Sequence, residues 1–211
     1  MIIADGRFHG KSENGSEELT YDLMAEDYNS LLDFLKIDST YIIGQSDGGI
    51  IGLILAINYP KKVKKLVTTA PNLRADTSSL PEWYIKFNKN DLKGIDYKIN
   101  RGKTSADLFR LRSQINLMVE YPNMNDGVLA KIQVLVLVIA GDGDIIKLEH
   151  ILKIYQNIPK AQLFIITGAT HFMLREEYSL FNQIVERFLD NPFNRPTTKE
   201  LLLKPKTLTI K

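Results

Sequence analysis

The sequence predicts an α/β fold, a mostly parallel sheet flanked by helices, and two observations favour it. Short apolar runs rich in β-branched residues alternate along the chain with longer segments of helical period. Three of these runs lead directly into glycine-containing turns that hold the most informative polar residues. Five runs are predicted to be strands: residues 2–4, 41–43, 66–69, 134–140 and 163–167.

The segments between and after these runs have the patterns of helices. Apolar residues recur at three- and four-residue spacing over 23–35, and Thr20 is placed to cap the start of that helix. The run that begins at Gly48 is apolar on nearly all sides and stops before Pro60, which predicts a buried helix entered through a very short turn. Two further helices are predicted, at about 147–156 and 175–189.

One long segment breaks the alternation of strands and helices. Residues 74–130 contain scattered aromatic side chains and one predicted helix, at about 105–120. A segment of this length is too long for a simple connection. We interpret it as a helical cap insertion over a site, within a core of residues 1–190 that is followed by a basic tail, residues 191–211.

Composition excludes several functional classes. The 211 residues include no cysteine, so disulfides, thiolate zinc sites and a cysteine nucleophile are excluded. The longest apolar runs are far shorter than the ~20 residues that span a bilayer. The N-terminus lacks the basic and then apolar pattern of a secretion signal. We therefore expect a cytoplasmic protein with no membrane partner.

The charge balance does not indicate an acidic partner. Lys and Arg number 27 against 25 Asp and Glu, a formal charge of +2. The basic excess lies in residues 191–211, which hold five basic residues and one acidic residue. A short basic tail is typical of a solvated terminus. We expect no nucleic-acid partner.

The strongest motif is G-Q-S-D-G at residues 44–48, directly after a predicted strand and directly before the buried helix. In the pattern G-x-S-x-G the serine occupies a sharp, strained turn, and the flanking glycines avoid collisions with the strand and the helix. The alternative interpretation is an ordinary glycine-rich turn that opens a helix or binds phosphate. The phosphate-loop pattern G-x-x-x-x-G-K-[ST] does not occur in the sequence.

A serine nucleophile needs a base that a third group orients. His171 follows the last predicted strand, and Asp142 and Asp144 follow the strand before it. Asp142 lies directly after its strand and could bind the backbone of its own turn, whereas Asp144 reaches an imidazole more easily. We predict a triad of Ser46, Asp144 and His171, with Asp142 as the alternative acid.

The other two histidines, His9 and His150, are predicted to be surface residues with structural roles. His9 lies in a predicted loop and His150 on a predicted helix.

Four segments carry recognisable motifs: DGRFHGKS (5–12), GQSDGG (44–49), LVLVIAGDGDII (135–146) and GATHFM (168–173). Together they resemble the α/β-hydrolase fold superfamily, in its branch of small esterases, cofactor-free haloperoxidase-like enzymes and peptidases. The resemblance implies Ser46 as nucleophile, His171 as base and Asp144 as acid. It also implies the backbone N–H of Asp47 as an oxyanion donor, and neither a cofactor nor a metal.

The same resemblance implies that the N-terminal strands are lacking. DGRFHGKS is similar to the loop after the family's fourth strand, so the first three strands, the first helix and the His-Gly loop with the second oxyanion N–H would precede it. Either the natural protein is longer, or this is a short form that pairs its strands anew. In a short form, residues 2–4 would pair with 41–43, or a partner chain would supply the missing strand. We expect the isolated chain to self-associate through its incompletely paired sheet. If the chain begins at Met1, the missing oxyanion donor is expected to lower the activity by about 10²- to 10³-fold.

The predicted function is hydrolysis of a small ester, thioester or amide by a Ser-His-Asp acyl-enzyme mechanism, with a small-molecule substrate as the partner. The alternative from another class is a non-catalytic hydrolase-like module that binds a small molecule under the cap. A cofactor-free lyase or perhydrolase that uses the same triad is a third hypothesis.

Overall fold

The computed structural model describes residues 1–203, and its centre is a sheet of four parallel strands. The strands are β1 (Thr40–Gln45), β2 (Val63–Thr69), β3 (Leu135–Gly141) and β4 (Ala161–Ile166). They are hydrogen-bonded in the order β1-β2-β3-β4. The two inner strands, β2 and β3, are the most deeply buried, as expected for a parallel sheet covered on both faces. The α/β fold class and four of the five predicted strands are confirmed.

The structure contains eight α-helices within residues 1–203. They are α1 (Tyr21–Phe34), α2 (Asp47–Asn58), α3 (Glu82–Asn100), α4 (Ala106–Glu120), α5 (Leu148–Asn157), α6 (Met173–Glu176), α7 (Tyr178–Asp190) and α8 (Thr198–Leu203). The predicted cap of α1 is confirmed, since the Thr20 hydroxyl accepts the Leu23 N–H at 3.1 Å. None of these helices has the length and apolarity needed to cross a membrane.

The predicted strand at residues 2–4 is wrong. Ile2 is 58% exposed and Ile3 is 84% exposed, and the segment pairs with no strand. Directly after it the chain folds into a compact loop, in which the Asp5 carboxylate accepts the Lys11 N–H at 2.9 Å. Strand formation depends on a neighbouring strand more than on local preference. Three apolar residues that lead straight into a tight loop do not form a strand by themselves.

The outer edge of β1 faces no strand within residues 1–203, and two of its apolar side chains, Tyr41 and Ile43, are each 49% exposed. An edge of this kind presents unpaired backbone donors and acceptors. A second copy of the chain could pair with this edge, and the expected self-association stays a prediction. Light scattering at tens of micromolar tests it, and a stable monomer would contradict it.

The single helix predicted at 175–189 is two helices, which corrects that prediction. The chain leaves helical geometry at Glu177 (φ −126°, ψ 38°), between α6 and α7. The carboxylate of Glu176 accepts hydrogen bonds from both the N–H and the hydroxyl of Thr170, at 2.8 and 2.6 Å. These bonds tie α6 to the loop that precedes it, and the amphipathic α7 begins separately at Tyr178.

Helices α3 and α4 lie within the segment predicted to be a cap, and they pack against each other. Helix α4 also contacts the N-terminal loop. Arg110 donates hydrogen bonds to the side chain of Asn14 (3.0 Å) and to the carbonyl of Gly10 (2.8 Å), and Gln114 donates to the carbonyl of Phe8 (2.7 Å). Three of the tail's basic residues, Lys204, Lys206 and Lys211, lie outside the described residues.

Candidate active site

Ser46 occupies the sharp turn between β1 and α2, with φ 53° and ψ −117°. Few residues other than glycine adopt a positive φ, and such strain persists only where the surroundings enforce it. Here the Ser46 N–H donates to the Thr69 carbonyl at 2.8 Å, and the Ser46 carbonyl accepts the Ile50 N–H at 3.0 Å. These two bonds hold Ser46 at the carboxyl end of β1, where open parallel sheets place their sites.

The glycines around Ser46 differ in whether a side chain at their position would collide with neighbouring atoms. A Cβ on Gly44 would lie 2.1 Å from the Gly48 carbonyl oxygen, so only glycine allows the turn to close. A Cβ on Gly48 would meet nothing within 4 Å. The prediction that a side chain here would collide with the strand or the helix is therefore right for Gly44 and wrong for Gly48. The second close approach belongs to Gly49, where a Cβ would lie 2.8 Å from the Thr68 hydroxyl oxygen.

The structure brings Asp144 and His171 together. His171 Nδ1 lies 2.8 Å from Asp144 Oδ1, and the Asp144 side chain is fully buried while that of His171 is 15% exposed. Because a carboxylate only accepts, the hydrogen-bond network assigns the ring proton to Nδ1 and leaves Nε2 as an acceptor. Asp144 Oδ1 also accepts the Ile146 N–H at 2.8 Å. Asp144 Oδ2 is buried without a partner among residues 1–203.

Asp142 contacts the same loop differently. Its carboxylate accepts the backbone N–H of Gly168 at 2.7 Å and has no hydrogen bond to the imidazole among the described residues. The two acidic residues of this turn therefore have separate roles in the geometry. Asp144 orients the ring of His171, and Asp142 braces the loop that carries it.

That loop lies directly on the end of β3. The Gly143 N–H donates to the Ala169 carbonyl at 3.0 Å. A Cβ on Gly141 would lie 2.1 Å from the same carbonyl oxygen. Glycine at the end of β3 is thus what allows the loop from β4 to cross toward Ser46.

Both neighbours of Ser46 interact with His171. The side chain of Gln45 donates from Nε2 to the His171 carbonyl at 2.5 Å, and the Asp47 carboxyl lies within electrostatic range of the His171 ring. Across residues 1–203, neither the Ser46 hydroxyl nor His171 Nε2 has a hydrogen-bond partner of its own. Apo sites often tighten such contacts only when substrate is bound.

Asp47 and Tyr21 form a polar pair beside Ser46. The Tyr21 hydroxyl donates to Asp47 Oδ1 at 2.7 Å. Burial raises the pKa of the Asp47 carboxyl, and the hydrogen bond from Tyr21 and the charges of His9 and His171 oppose that rise. Burial also raises the pKa of the Tyr21 phenol. As the first residue of α2, Asp47 has a backbone N–H without an intrahelical partner, which leaves it open to an oxyanion.

Sequence reasoning did not single out Gln45, Tyr21 or Glu176. Gln45 stands inside the motif and Tyr21 directly follows the cap of α1, yet their partners lie 126 and 26 residues away. A single sequence does not show such pairings.

The other two histidines have structural contacts. His9 is partly buried, and its Nδ1 lies 2.8 Å from the Arg7 carbonyl oxygen. His150 is only 1% exposed, so its predicted surface position is wrong. Its Nε2 accepts the Leu73 N–H at 2.9 Å, which joins α5 to the chain leaving β2. Burial lowers the pKa of His150 to about 4.

We expect His150 to make the protein less stable in acid. Its pKa of about 4 in the folded protein lies below the usual histidine pKa of about 6.5. The unfolded state therefore binds the extra proton first, and stability falls as the pH drops from about 6.5 toward 4. The full shift corresponds to about 3 kcal/mol of stability, and about 2 kcal/mol of it should be lost between pH 7 and pH 4.5, because that range stops short of the folded pKa.

Urea unfolding between pH 7 and pH 4.5 measures this effect. The control is His150→Gln, which keeps an acceptor for the Leu73 N–H but does not titrate. The wild type should lose more stability than the variant over this range. An equal loss of unfolding free energy in the two proteins over this pH range would contradict the role of His150 in acid sensitivity.

A cavity of about 550 Å³ lies beneath α7, away from the triad. Its lining includes apolar side chains of β3, β4 and α7 and the segment after α7, but none of Ser46, Asp144 and His171. Within residues 1–203, no group of three or more His, Asp and Glu side chains is placed to hold a metal ion.

Comparisons with known proteins agree on the fold. A family model described as alpha/beta hydrolase fold matches residues 1–107. The Mus musculus protein named serine hydrolase BPHL is 25% identical over 204 residues, which cover 90% of this chain and 69% of that protein.

Two solved structures are similar in fold. The enol-lactonase of Burkholderia xenovorans matches with a TM-score of 0.68 and 21% identity, over 89% of this chain and 79% of its own. MGS-M2, an alpha/beta hydrolase enzyme from a deep-sea metagenome library, matches with a TM-score of 0.72 and 18% identity, over 92% of this chain and 80% of its own. At these identities the two structures support the fold alone.

Proposed function

The chain belongs to the alpha/beta hydrolase fold family, and from that premise we propose that it is a serine hydrolase that cleaves a small ester, thioester or amide through an acyl-enzyme. The observation that carries the proposal is the hydrogen bond between Asp144 and His171, at 2.8 Å, beside a serine held at a strained positive φ. The sequence of serine hydrolase BPHL, 25% identical, supports the same reaction class.

In the proposed reaction, Ser46 attacks the substrate carbonyl while His171 Nε2 takes the hydroxyl proton. Asp144 holds the other ring nitrogen and stabilises the imidazolium that forms. The backbone N–H of Asp47 donates to the oxyanion. His171 then gives the proton to the leaving group as its bond to the acyl carbon breaks, which leaves the acyl group on Ser46. Water attacks this ester while His171 takes a water proton, and return of that proton to the Ser46 oxygen breaks the ester and releases the acid.

The surroundings of His171 suit the positive charge that forms on its ring during the reaction and is then lost. The Asp144 carboxylate is fully buried, so solvent does not screen its attraction for the imidazolium. His171 remains partly open, and Phe172 beside it is 61% exposed, an apolar surface next to the base. A small apolar acyl or alkyl group could pack there while the polar groups act on the carbonyl.

Turnover of p-nitrophenyl acetate, followed with intact-protein mass spectrometry of quenched samples, tests this proposal. We expect Ser46-dependent turnover and an acetylated enzyme in wild-type samples. Ser46→Ala should fall to the background rate, and Ser16→Ala, which changes an exposed loop serine, should match the wild type. Equal turnover by Ser46→Ala and wild type would contradict the proposal.

The lowered activity that the resemblance implies stays a prediction. It is checked by joining a segment with a strand and a His-Gly loop before Met1 and measuring the same turnover. We expect the rate to rise, because a second oxyanion N–H would be supplied.

A further inference from the structure

The order of the sheet creates a positioning problem for the proposed site. Ser46 follows β1 and His171 follows β4, and β2 and β3 lie between them. With neighbouring strands about 4.8 Å apart, the ends of β1 and β4 are separated by roughly 14 Å. The loop after β4 must therefore carry His171 back across two strands, and the sheet itself does not fix where it stops.

Apart from the hydrogen bond from Gln45, the hydrogen bonds that hold this loop come from the end of β3 and from α6. Asp144 holds the imidazole of His171, and Gly143 holds the Ala169 carbonyl, and both follow the end of β3. Glu176 holds Thr170 from the far side of the loop. None of these contacts reaches β1, so none of them fixes the distance between His171 and Ser46.

Gln45 supplies the contact that is otherwise lacking. It is the last residue of β1 and directly precedes Ser46. Its Nε2 donates to the backbone carbonyl of His171 at 2.5 Å. A carbonyl only accepts, so the amide must present its nitrogen here. The residue before the nucleophile is thereby bonded to the base residue itself.

We propose that Gln45 is a positioning residue that sets the distance between the Ser46 hydroxyl and the His171 ring. This inference rests on the proposed function and goes beyond it, since Gln45 touches neither substrate nor the reacting atoms. It acts on the backbone of His171 from the β1 side, and Asp144 acts on the ring from the β3 side. Together the two contacts leave the ring little freedom to drift from the serine.

The test compares Gln45→Met with a matched variant elsewhere in the fold. Methionine keeps the length of the side chain but cannot donate a hydrogen bond. Because a misplacement of about 1 Å can cost about 100-fold in rate, we expect kcat for p-nitrophenyl acetate to fall by about 100-fold. KM should stay within about threefold, because the substrate loses no contact.

The matched control is Gln162→Met. Gln162 also donates from Nε2 to a single backbone carbonyl, that of Asn194 at 2.7 Å, at the opposite end of the sheet. We expect its kcat to equal that of the wild type. The pH midpoint of kcat/KM should be the same for Gln45→Met and wild type, because Asp144 still pairs with His171.

The outcomes separate this inference from the proposed function. If wild-type turnover does not depend on Ser46, the proposed function fails. If it does, and folded Gln45→Met keeps wild-type kcat or changes only KM, the positioning role alone is overturned. An equal fall in Gln162→Met would also overturn it.

If Gln45→Met does not fold, Gln45→Glu provides a second variant of the same length, whose carboxylate cannot donate to the carbonyl. A folded Gln45→Glu with low kcat and unchanged KM would support the positioning role. Failure of both variants to fold would show that Gln45 serves the fold rather than the site.

Discussion

Asp144→Asn is expected to lower kcat by about 10⁴-fold while the protein stays folded. The Asp144 carboxylate is fully buried and bonded to His171 Nδ1. An amide of the same shape can keep a hydrogen bond to the ring or to the Ile146 N–H, but it carries no negative charge. The imidazolium that forms when Ser46 gives up its proton therefore loses its main stabilisation. Single-turnover kinetics with p-nitrophenyl acetate measure this loss.

The matched control is Asp142→Asn, two residues earlier in the same turn. Its amide oxygen can still accept the Gly168 N–H that Asp142 accepts now, so kcat should stay within about tenfold of the wild type. This pair also decides between the two acids that the sequence allowed. A larger loss in Asp142→Asn than in Asp144→Asn would contradict the assignment of the acid to Asp144.

Gly44→Ala is expected to destabilise the protein by more than about 4 kcal/mol, enough to unfold most domains. The new Cβ would lie 2.1 Å from the Gly48 carbonyl oxygen. That oxygen belongs to the backbone of α2 and cannot rotate away as a side chain could. The turn that holds Ser46 must open, and α2, whose residues from Gly49 to Ala56 are all buried, must shift with it. Urea unfolding and circular dichroism measure the effect.

Gly48→Ala is the control, because it adds the same methyl group within the same motif. A Cβ at Gly48 meets no atom within 4 Å, and alanine favours a helix over glycine by about 1 kcal/mol. We expect this variant to be at least as stable as the wild type. Equal destabilisation by Gly44→Ala and Gly48→Ala would contradict the steric account of the turn.

The sequence was sufficient where local pattern and burial agree. Strand β3 is covered on both faces, so it is a nearly continuous apolar run that no helix period fits. In β2 the buried second half, residues 66–69, was enough to predict the strand. The turns after β1, β3 and β4 followed from their glycines. The polar residues that end these turns could then be grouped, because parallel strands end at one edge of the sheet.

The sequence was insufficient where a distant partner decides the outcome. Residues 2–4 have strand-forming side chains but no strand to pair with. The helix breaks at Glu177, next to Glu176, whose carboxylate binds Thr170. His150 is buried, and its ring accepts a backbone N–H from a residue 77 positions away.

The division of the chain into a core, a cap and a tail stays a prediction. Its most direct support is that α3 and α4 pack against each other. The contacts of α4 with the N-terminal loop, through Arg110 and Gln114, place part of that segment beside residues that precede the first strand.

Covalent labelling with a fluorophosphonate probe tests the central claim, an activated serine at position 46. The probe reacts with a serine whose proton a neighbouring base removes. Wild-type protein should be labelled, with the added mass on the peptide that contains Ser46. Ser46→Ala should not be labelled, although it folds normally. Labelling that persists in Ser46→Ala, or folded wild-type protein that takes up no label, would contradict the account.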